Sequence, residues 1–171
     1  AGTVTNSNAG ASTLAIGNGT TTTGSAVFSG ILQDGVGRLN VTKNGTGRLI
    51  LSGANSHTGA TLVSAGTLAI GNPSALLPAS SLTLAAGTLL QPNLDGVVIR
   101  APVTVAGSGT TATISAPTNA PGAGVVSTLT LHSVLAGNGN VTFSSSVNQN
   151  ALPTVYLGAQ CTYAGGTLLD T

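Results

Sequence analysis

Residues 13–18 are Thr13-Leu14-Ala15-Ile16-Gly17-Asn18, and the same six residues return intact as Thr67-Leu68-Ala69-Ile70-Gly71-Asn72. The tripeptide Gly-Thr-Leu also recurs, beginning at Gly66, Gly87 and Gly166. Self-similarity at intervals of tens of residues indicates stacked structural units. The interval from Gly66 to Gly87 predicts a coil of about 20 residues and roughly eight coils in the chain.

Short apolar and β-branched runs alternate along the chain with Gly, Asn and Pro. Each run is long enough for a strand of roughly three to five residues, and no helical stretch lies between them. So many short strands favour a β-solenoid over an immunoglobulin-type sandwich, whose strands are longer. We therefore predict an all-β parallel β-helix in a single domain over residues 1–171, with a loop or corner at 116–124.

The composition excludes several functional classes. Only 4% of the residues are charged and the formal net charge is +1, whereas a soluble domain normally carries about a quarter charged residues. The four basic residues are scattered, so we expect no nucleic-acid partner. No apolar run approaches the ~18 residues of a membrane span. Identical charges on successive rungs would repel one another, so stacking explains the missing charge.

The carboxylates are too few and too dispersed for glycan hydrolysis, which needs grouped acids. Asp34, Asp95 and Asp170 each stand in a turn-like setting beside Gly or Thr. We predict that they are turn and cap residues. The sequence therefore predicts no catalytic residues.

The remaining reactive side chains give no metal or cofactor signature. His57 and His132 do not have metal-ligand spacing, so we expect surface or stacking roles, no metal and no cofactor. Cys161 is the single cysteine. We predict that it is a small buried residue; the alternative is a cross-link between subunits.

One stretch near the middle of the chain carries a specific pattern. It contains Val41-Thr42-Lys43-Asn44-Gly45-Thr46-Gly47, then Leu49-Ile50-Leu51-Ser52-Gly53-Ala54-Asn55, then Gly59-Ala60-Thr61, and ends with Gly66-Thr67-Leu68. Over these 28 positions the chain closely resembles the autotransporter-associated β-strand repeat. The family has Tyr where this chain has His57, and Thr where it has Arg48.

A degraded second copy resembles the same family over residues 155–169, and it keeps the family's tyrosine as Tyr163. Such repeats occur in the passenger regions of secreted bacterial surface proteins, which form right-handed β-helices. The resemblance implies a right-handed parallel β-helix, export and an extracellular position at the cell surface or in the matrix. The first residues lack a charged segment and an initiator Met, so we expect a chain whose targeting segment has been removed.

The two ends of the chain resemble parts of one repeat. When residues 163–171 are placed before residues 1–5 of another copy, the joined string imitates residues 57–69 with one extra residue. We consider two explanations: copies stack head to tail, or a longer passenger was cut at this point. The predicted joint residues are Ala1, Gly2, Thr3, Val4, Thr5, Tyr163, Gly165, Gly166, Thr167, Leu168 and Leu169.

These observations give three functional hypotheses. The first is a non-enzymatic extracellular structural protein whose copies pair head to tail into a filament. The second is an adhesin or passenger rod that binds a host or glycan surface. The third, a glycan-active β-helix enzyme, has the least support because acids and bases are so few.

Overall fold

The computed structural model describes residues 2–17, 24–76, 80–116, 128–144 and 154–170. These residues form eighteen short strands and no helix. Every strand pair among them is parallel. Parallel strands in stacked sheets confirm the predicted parallel β-helix.

The coils pass through three faces in a fixed order, but the coils of β7–β8 and β9–β10 have no strand on the first face, so the first-face strands form two separate sheets. The strands are numbered along the chain. On the first face lie β1 (Thr3–Thr5), β4 (Ile31–Gln33), β11 (Val97–Ile99), β14 (Thr128–Leu131) and β17 (Thr154–Leu157). On the second face lie β2 (Ser12–Ile16), β5 (Leu39–Lys43), β7 (Thr61–Val63), β9 (Leu82–Leu84), β12 (Val103–Val105) and β15 (Leu135–Gly137). On the third face lie β3 (Ser25–Phe28), β6 (Arg48–Leu51), β8 (Thr67–Ile70), β10 (Leu89–Pro92), β13 (Thr111–Ser115), β16 (Asn140–Ser144) and β18 (Thr167–Asp170).

Side chains that point inward form columns along the stack, because paired residues in parallel strands lie directly above one another. The second-face column consists of Leu14, Val41, Thr61, Leu82, Val103, Leu135 and Cys161. The third-face column consists of Ala26, Leu49, Leu68, Leu90, Ile114, Phe143 and Leu169. Their inner members are buried and make up much of the aliphatic core.

The described coils differ in length. Val41 pairs with Thr61, 20 residues on, whereas Val103 pairs with Leu135, 32 residues on. The longest sheet contains seven strands within the described residues. The expectation of about eight coils is therefore not confirmed, because it assumed one coil length throughout, whereas the steps between paired residues range from 20 to 32.

The sequence repeats mark corners as well as coils. Gly66, Gly87 and Gly166 each precede a third-face strand, so Gly-Thr-Leu does follow the coil period. Gly66 and Gly87 have φ values of 68° and 69°, which favour glycine because it lacks a Cβ. The hexapeptide repeat behaves differently: its first copy lies in β2 on the second face, and its second copy lies in β8 on the third.

Candidate functional site

The two terminal coils form the candidate functional site. The first coil contains β1, β2 and β3; the last contains β17, Cys161 and β18. In the seven-stranded sheet β3 lies at one edge and β18 at the other. The two coils therefore lie at opposite ends of the stack.

Residues at core positions are exposed in the last coil. Ile114 pairs with Phe143, which pairs with Leu169, and exposure rises along this column from 0% at Ile114 to 69% at Leu169. On the first face, Leu131 is 1% exposed, but its partner Leu157 is 44% exposed. These leucines are exposed because no further coil covers them in the chain as described.

The first coil presents the same feature at the opposite end. Val4, Leu14, Ile16 and Phe28 pack against the core but stay only half-buried. Ala26, which begins the third-face column, is exposed. Both ends of the aliphatic core are thus open among the described residues.

The terminal coils also lack the residues that usually protect sheet edges. Natural edge strands are commonly protected by lysine, proline or other charged side chains, which oppose pairing with another chain. Residues 1–30 contain no charged residue and no proline, and residues 154–171 contain one charged residue, Asp170, and no proline. The main-chain donors and acceptors at these edges have no such protection.

The structure places the predicted joint residues in these two coils. Gly2 to Thr5 lie in the first coil, with Val4 half-buried. Residues 163–169 lie in the last coil, where Tyr163 packs against the core and Leu168 and Leu169 are exposed. Ala1 lies outside the described residues. The pairing of the two segments with each other stays a prediction.

The two resembling segments build the same corner. In the first copy, Asn40 Oδ1 accepts a hydrogen bond from Ala60 N–H at 2.9 Å, and His57 Nε2 lies 3.1 Å from Thr61 Oγ1. In the second copy, Asn140 Oδ1 accepts from Gly166 N–H at 2.8 Å, and Tyr163 Oη bonds Thr167 Oγ1. The first corner leads into the second face and the second corner leads into the third.

Close backbone packing accompanies this corner. A Cβ on Gly59 would lie 2.2 Å from the Leu39 carbonyl oxygen, and a Cβ on Gly165 would lie 2.1 Å from that of Gly139. Such approaches are possible only for glycine. The repeat therefore specifies a corner at which one coil lies closely against the previous one.

Lys43 connects two coils through hydrogen bonds to backbone carbonyl oxygens rather than through an ion pair with a carboxylate. Its side chain is 3% exposed, and Nζ donates to the carbonyl oxygens of Asn44 at 2.9 Å, Gly45 at 2.7 Å and Ala65 at 3.0 Å. Burial lowers the pKa of this ammonium group. The three carbonyls use all three donors of the ammonium group, so Lys43 is a stacking residue. Sequence analysis did not predict this role, although the alternation along β5 places Lys43 on the same inward-pointing side as Leu39 and Val41.

Asp34 and Asp95 are cap residues, as predicted. Asp34 accepts from Thr58 Oγ1 at 2.6 Å and from the N–H of Leu39 at 2.8 Å. Burial tends to raise the pKa of Asp34, but the hydrogen bonds from Thr58 and Leu39 hold it below the usual value. Asp95 Oδ1 accepts from the N–H groups of Gly96 at 2.7 Å and Thr128 at 2.6 Å.

The histidines and the cysteine have different surroundings. His57 is 1% exposed at its coil corner, and its Nδ1 has no hydrogen-bond partner among the described residues. His132 is exposed. The prediction that Cys161 is buried is wrong: the thiol is exposed, because Cys161 pairs with Leu135 on one side only among the described residues.

The predicted loop at 116–124 lies almost entirely outside the described residues. Only Ala116 is described, and it is buried.

A search of the described residues found no group of three His, Cys, Asp or Glu side chains that could hold a metal ion. In the same residues no helix is long and apolar enough to cross a membrane.

Comparisons with known proteins agree with the resemblance found in the sequence. Residues 41–70 match the family model described as the passenger-associated-transport-repeat. The chain is also 35% identical over 102 residues to the adhesin BmaC autotransporter of Brucella suis. The match covers 60% of this chain and 3% of that relative, so the chain spans a small part of the relative's length. No solved structure matches the chain significantly.

The matched family segment contains Lys43, Gly53, Asn55 and His57, which lie where one coil contacts another. The similarity to a passenger repeat and to an autotransporter adhesin supports an extracellular position at the cell surface. Residues 41–70 are thus similar to the passenger-associated-transport-repeat, in agreement with the resemblance found in the sequence.

Proposed function

We propose that this chain is a non-enzymatic structural protein of the bacterial cell surface, a β-solenoid rod whose copies stack head to tail into a filament. Apolar side chains that are exposed at the edges of the described stack support the proposal. Leu157 and Leu169 are exposed in the last coil although their paired neighbours Leu131 and Phe143 are buried or half-buried. A following coil would remove these side chains from water, which stabilises the contact by about 25 cal/mol per Å² of apolar surface.

The order of the faces supports the same contact. Among the described strands, β3, β10, β13 and β16 on the third face are each followed along the chain by a first-face strand, whereas β6 and β8 are followed by second-face strands. β18 is a third-face strand and β1 is a first-face strand. The β1 strand of a following copy can therefore come directly after β18, and the order of the three faces is kept across the contact. The edges join by β-augmentation, in which main-chain N–H and C=O groups pair between chains.

The lack of charge favours association over repulsion. Copies with a net charge of +1 repel one another weakly. The contact is heterologous, and copies stacked along one straight axis extend it as an open filament rather than a ring. Each added copy contributes about seven rungs, or about 33 Å of length at ~4.8 Å per rung.

Adhesion is a second candidate function. The observation that favours it is the name of the Brucella suis relative, an autotransporter adhesin. Under this hypothesis the rod presents side chains on its outer faces, or the segment 116–124, to a host or glycan surface. A rod of this kind needs no catalytic residues, in keeping with the use of Asp34 and Asp95 as caps.

Two adjacent leucines provide a matched test of the filament. Leu168 and Leu169 are 62% and 69% exposed, but Leu169 lies in the inward column, whereas Leu168 pairs with Thr142 on the outer side of the sheet. We expect Leu169→Lys to stop growth because it places an ammonium group in the joined core. Leu168→Lys leaves that core apolar and is the control.

Sedimentation velocity over a range of concentrations measures the outcome. The wild-type chain and Leu168→Lys should form longer particles as concentration rises, and Leu169→Lys should remain monomeric with an unchanged circular dichroism spectrum. A wild-type chain that stays monomeric at the highest concentration, or equal growth by both variants, contradicts the proposal. Glycan-array binding by the monomeric variant would support adhesion instead.

A further inference from the structure

We propose that one edge of the rod binds a linear acidic polysaccharide through Arg38, Arg100 and His132. This basic edge is the corner at which the chain passes from the first face to the second face. The proposal rests on the second candidate function, adhesion, and adds the class of the ligand and the residues that contact it. It does not depend on contacts between copies of the chain.

The register of the second-face strands brings the three residues to the same edge. One inward column contains, in order along the stack, Val41, Thr61, Leu82, Val103 and Leu135. Arg38, Arg100 and His132 stand three residues before the first, fourth and fifth members. Neighbouring rungs are ~4.8 Å apart, so Arg100 lies about 14 Å along the stack from Arg38, and His132 follows one rung later. The first face gives the same register for the last pair, since Ile99 pairs with Leu131.

The side chains at the basic edge are free to bind a ligand. All three are exposed, and among the described residues none of them forms a side-chain hydrogen bond or ion pair. The other two basic side chains are used inside the stack. Lys43 donates to three carbonyl oxygens, and Arg48 Nη2 donates to Asn93 Oδ1 at 2.7 Å. The two unpaired guanidinium groups of the described residues therefore lie at one edge, although the basic residues are scattered in the sequence.

Negative charge at the basic edge is small. Of the three carboxylates in the chain, Asp34 alone lies at the corner between these two faces, and its oxygens already accept hydrogen bonds from Thr58 and from the backbone. Asp95 precedes β11 whereas Arg100 follows it, and Asp170 lies on the third face. Two guanidinium groups against one carboxylate leave an excess of positive charge, which attracts an anionic ligand.

A neighbouring outward column provides a surface for sugar rings. Val98 and Thr130 occupy the outward side of the first face, two positions before the basic residues of the same coils. Tyr156 pairs with Thr130 and continues this column. An apolar side chain, a hydroxyl group and an aromatic ring suit the mixed polar and apolar surface of a sugar. The adjacent guanidinium groups suit its acidic substituents, because arginine binds oxyanions through two parallel hydrogen bonds.

The spacing of the charges favours a polysaccharide over a nucleic acid. Duplex DNA carries one negative charge per about 1.7 Å of its axis, and proteins that bind it neutralise roughly 6–10 phosphates. The basic edge offers two guanidinium groups about 14 Å apart, which is far fewer. A linear glycan with one acidic group in each repeating unit carries a lower charge density, and it can lie along the rod axis.

Substitution of single arginines tests the site. Isothermal titration calorimetry of the full chain at low salt measures binding of a heparin octasaccharide, with dextran as the uncharged glycan. We expect the wild-type chain to bind heparin and not dextran, and Arg100→Gln to weaken heparin binding about fivefold, as for the loss of one exposed ion pair. Arg38→Gln combined with Arg100→Gln should weaken it further.

The matched control is Arg48→Gln, which removes the same charge from the third face. It should bind heparin as the wild-type chain does. Circular dichroism should show the same fold for every variant, because the substituted arginines of the basic edge have no partner among the described residues. Binding by the wild-type chain should weaken as salt is added, since salt screens exposed charges.

The outcomes separate the site from adhesion itself. Equal losses in Arg100→Gln and Arg48→Gln would show that net charge alone attracts heparin, and would overturn the basic edge as the site. Binding to dextran or to a DNA duplex as tight as to heparin would overturn the ligand class while adhesion stands, and so would glycan-array binding confined to uncharged glycans. If no glycan binds the chain, adhesion to glycans fails, and the site fails with it.

Discussion

The side chain of Asn55 takes the place of a strand beside Leu32. Its Oδ1 accepts a hydrogen bond from the Leu32 N–H at 3.0 Å, and its Nδ2 donates to the Ala75 carbonyl oxygen at 3.1 Å. The N–H groups of Ser56 and His57 both donate to the Leu32 carbonyl oxygen. One buried amide group thus connects three successive coils at a place where the first face has no regular strand.

Removal of this amide should weaken the stack. In Asn55→Ala the Leu32 N–H and the Ala75 carbonyl oxygen lose their buried partner, which should cost about 1–3 kcal/mol in the free energy of unfolding. Ser56→Ala is the matched control because the neighbouring side chain is exposed. Urea unfolding followed by circular dichroism measures the difference. Equal stability of the two variants would show that Asn55 does not join the coils.

A methyl group at Gly53 should separate two coils. A Cβ at this position would lie 1.8 Å from the Gly30 carbonyl oxygen, so the backbone must shift and the ladder must be disturbed. We expect Gly53→Ala to destabilise the chain by several kcal/mol, at the severe end for a single substitution. Gly10→Ala, where a Cβ would meet nothing within 4 Å, should change the melting temperature little. A small effect at Gly53 would contradict the close coil spacing.

The stability of the fold should fall in mild acid because of His57. Burial lowers the pKa of this imidazole against the opposing effect of the Asp34 carboxylate, so the folded state resists protonation that the unfolded state accepts. The contribution of His57 to the free energy of unfolding is complete above the pKa of about 6.5 that the imidazole has in the unfolded chain. This contribution is lost as the pH falls below that value. The slope is at most about 1.4 kcal/mol per pH unit.

His57→Gln should abolish this loss between pH 6.5 and 5, a range above that in which Asp34 titrates. His132→Gln, a change at an exposed position, should keep the wild-type pH dependence. Denaturant unfolding at a series of pH values measures both variants. If His57→Gln and the wild-type chain lose stability in parallel, the buried imidazole does not cause the effect.

Periodicity explains why the fold could be predicted. Short apolar runs separated by Gly and Asn repeat often enough to indicate parallel coils, and the glycines at 66, 87 and 166 do mark one face. The coil count was less predictable because a repeat length measured between two coils does not reveal that other coils are longer. The 32-residue step from Val103 to Leu135 is an example.

The site was predictable only in part. The joint residues stay a prediction that rests on the resemblance of the chain ends to one repeat. The roles of Lys43 and Asn55 were not predicted, because they depend on contacts with coils about 20 residues away in sequence. Cys161 was predicted to be buried because cysteine usually is. Its exposure depends on its place in the last coil, which the residue type does not indicate.

Small-angle X-ray scattering of the unmodified chain over a concentration series tests the central claim most directly. Head-to-tail stacking predicts a constant cross-sectional radius of gyration while the particle length grows in steps of about 33 Å, seven rungs at ~4.8 Å each. A particle of 16.3 kDa whose length does not change with concentration would contradict stacking through the open terminal coils.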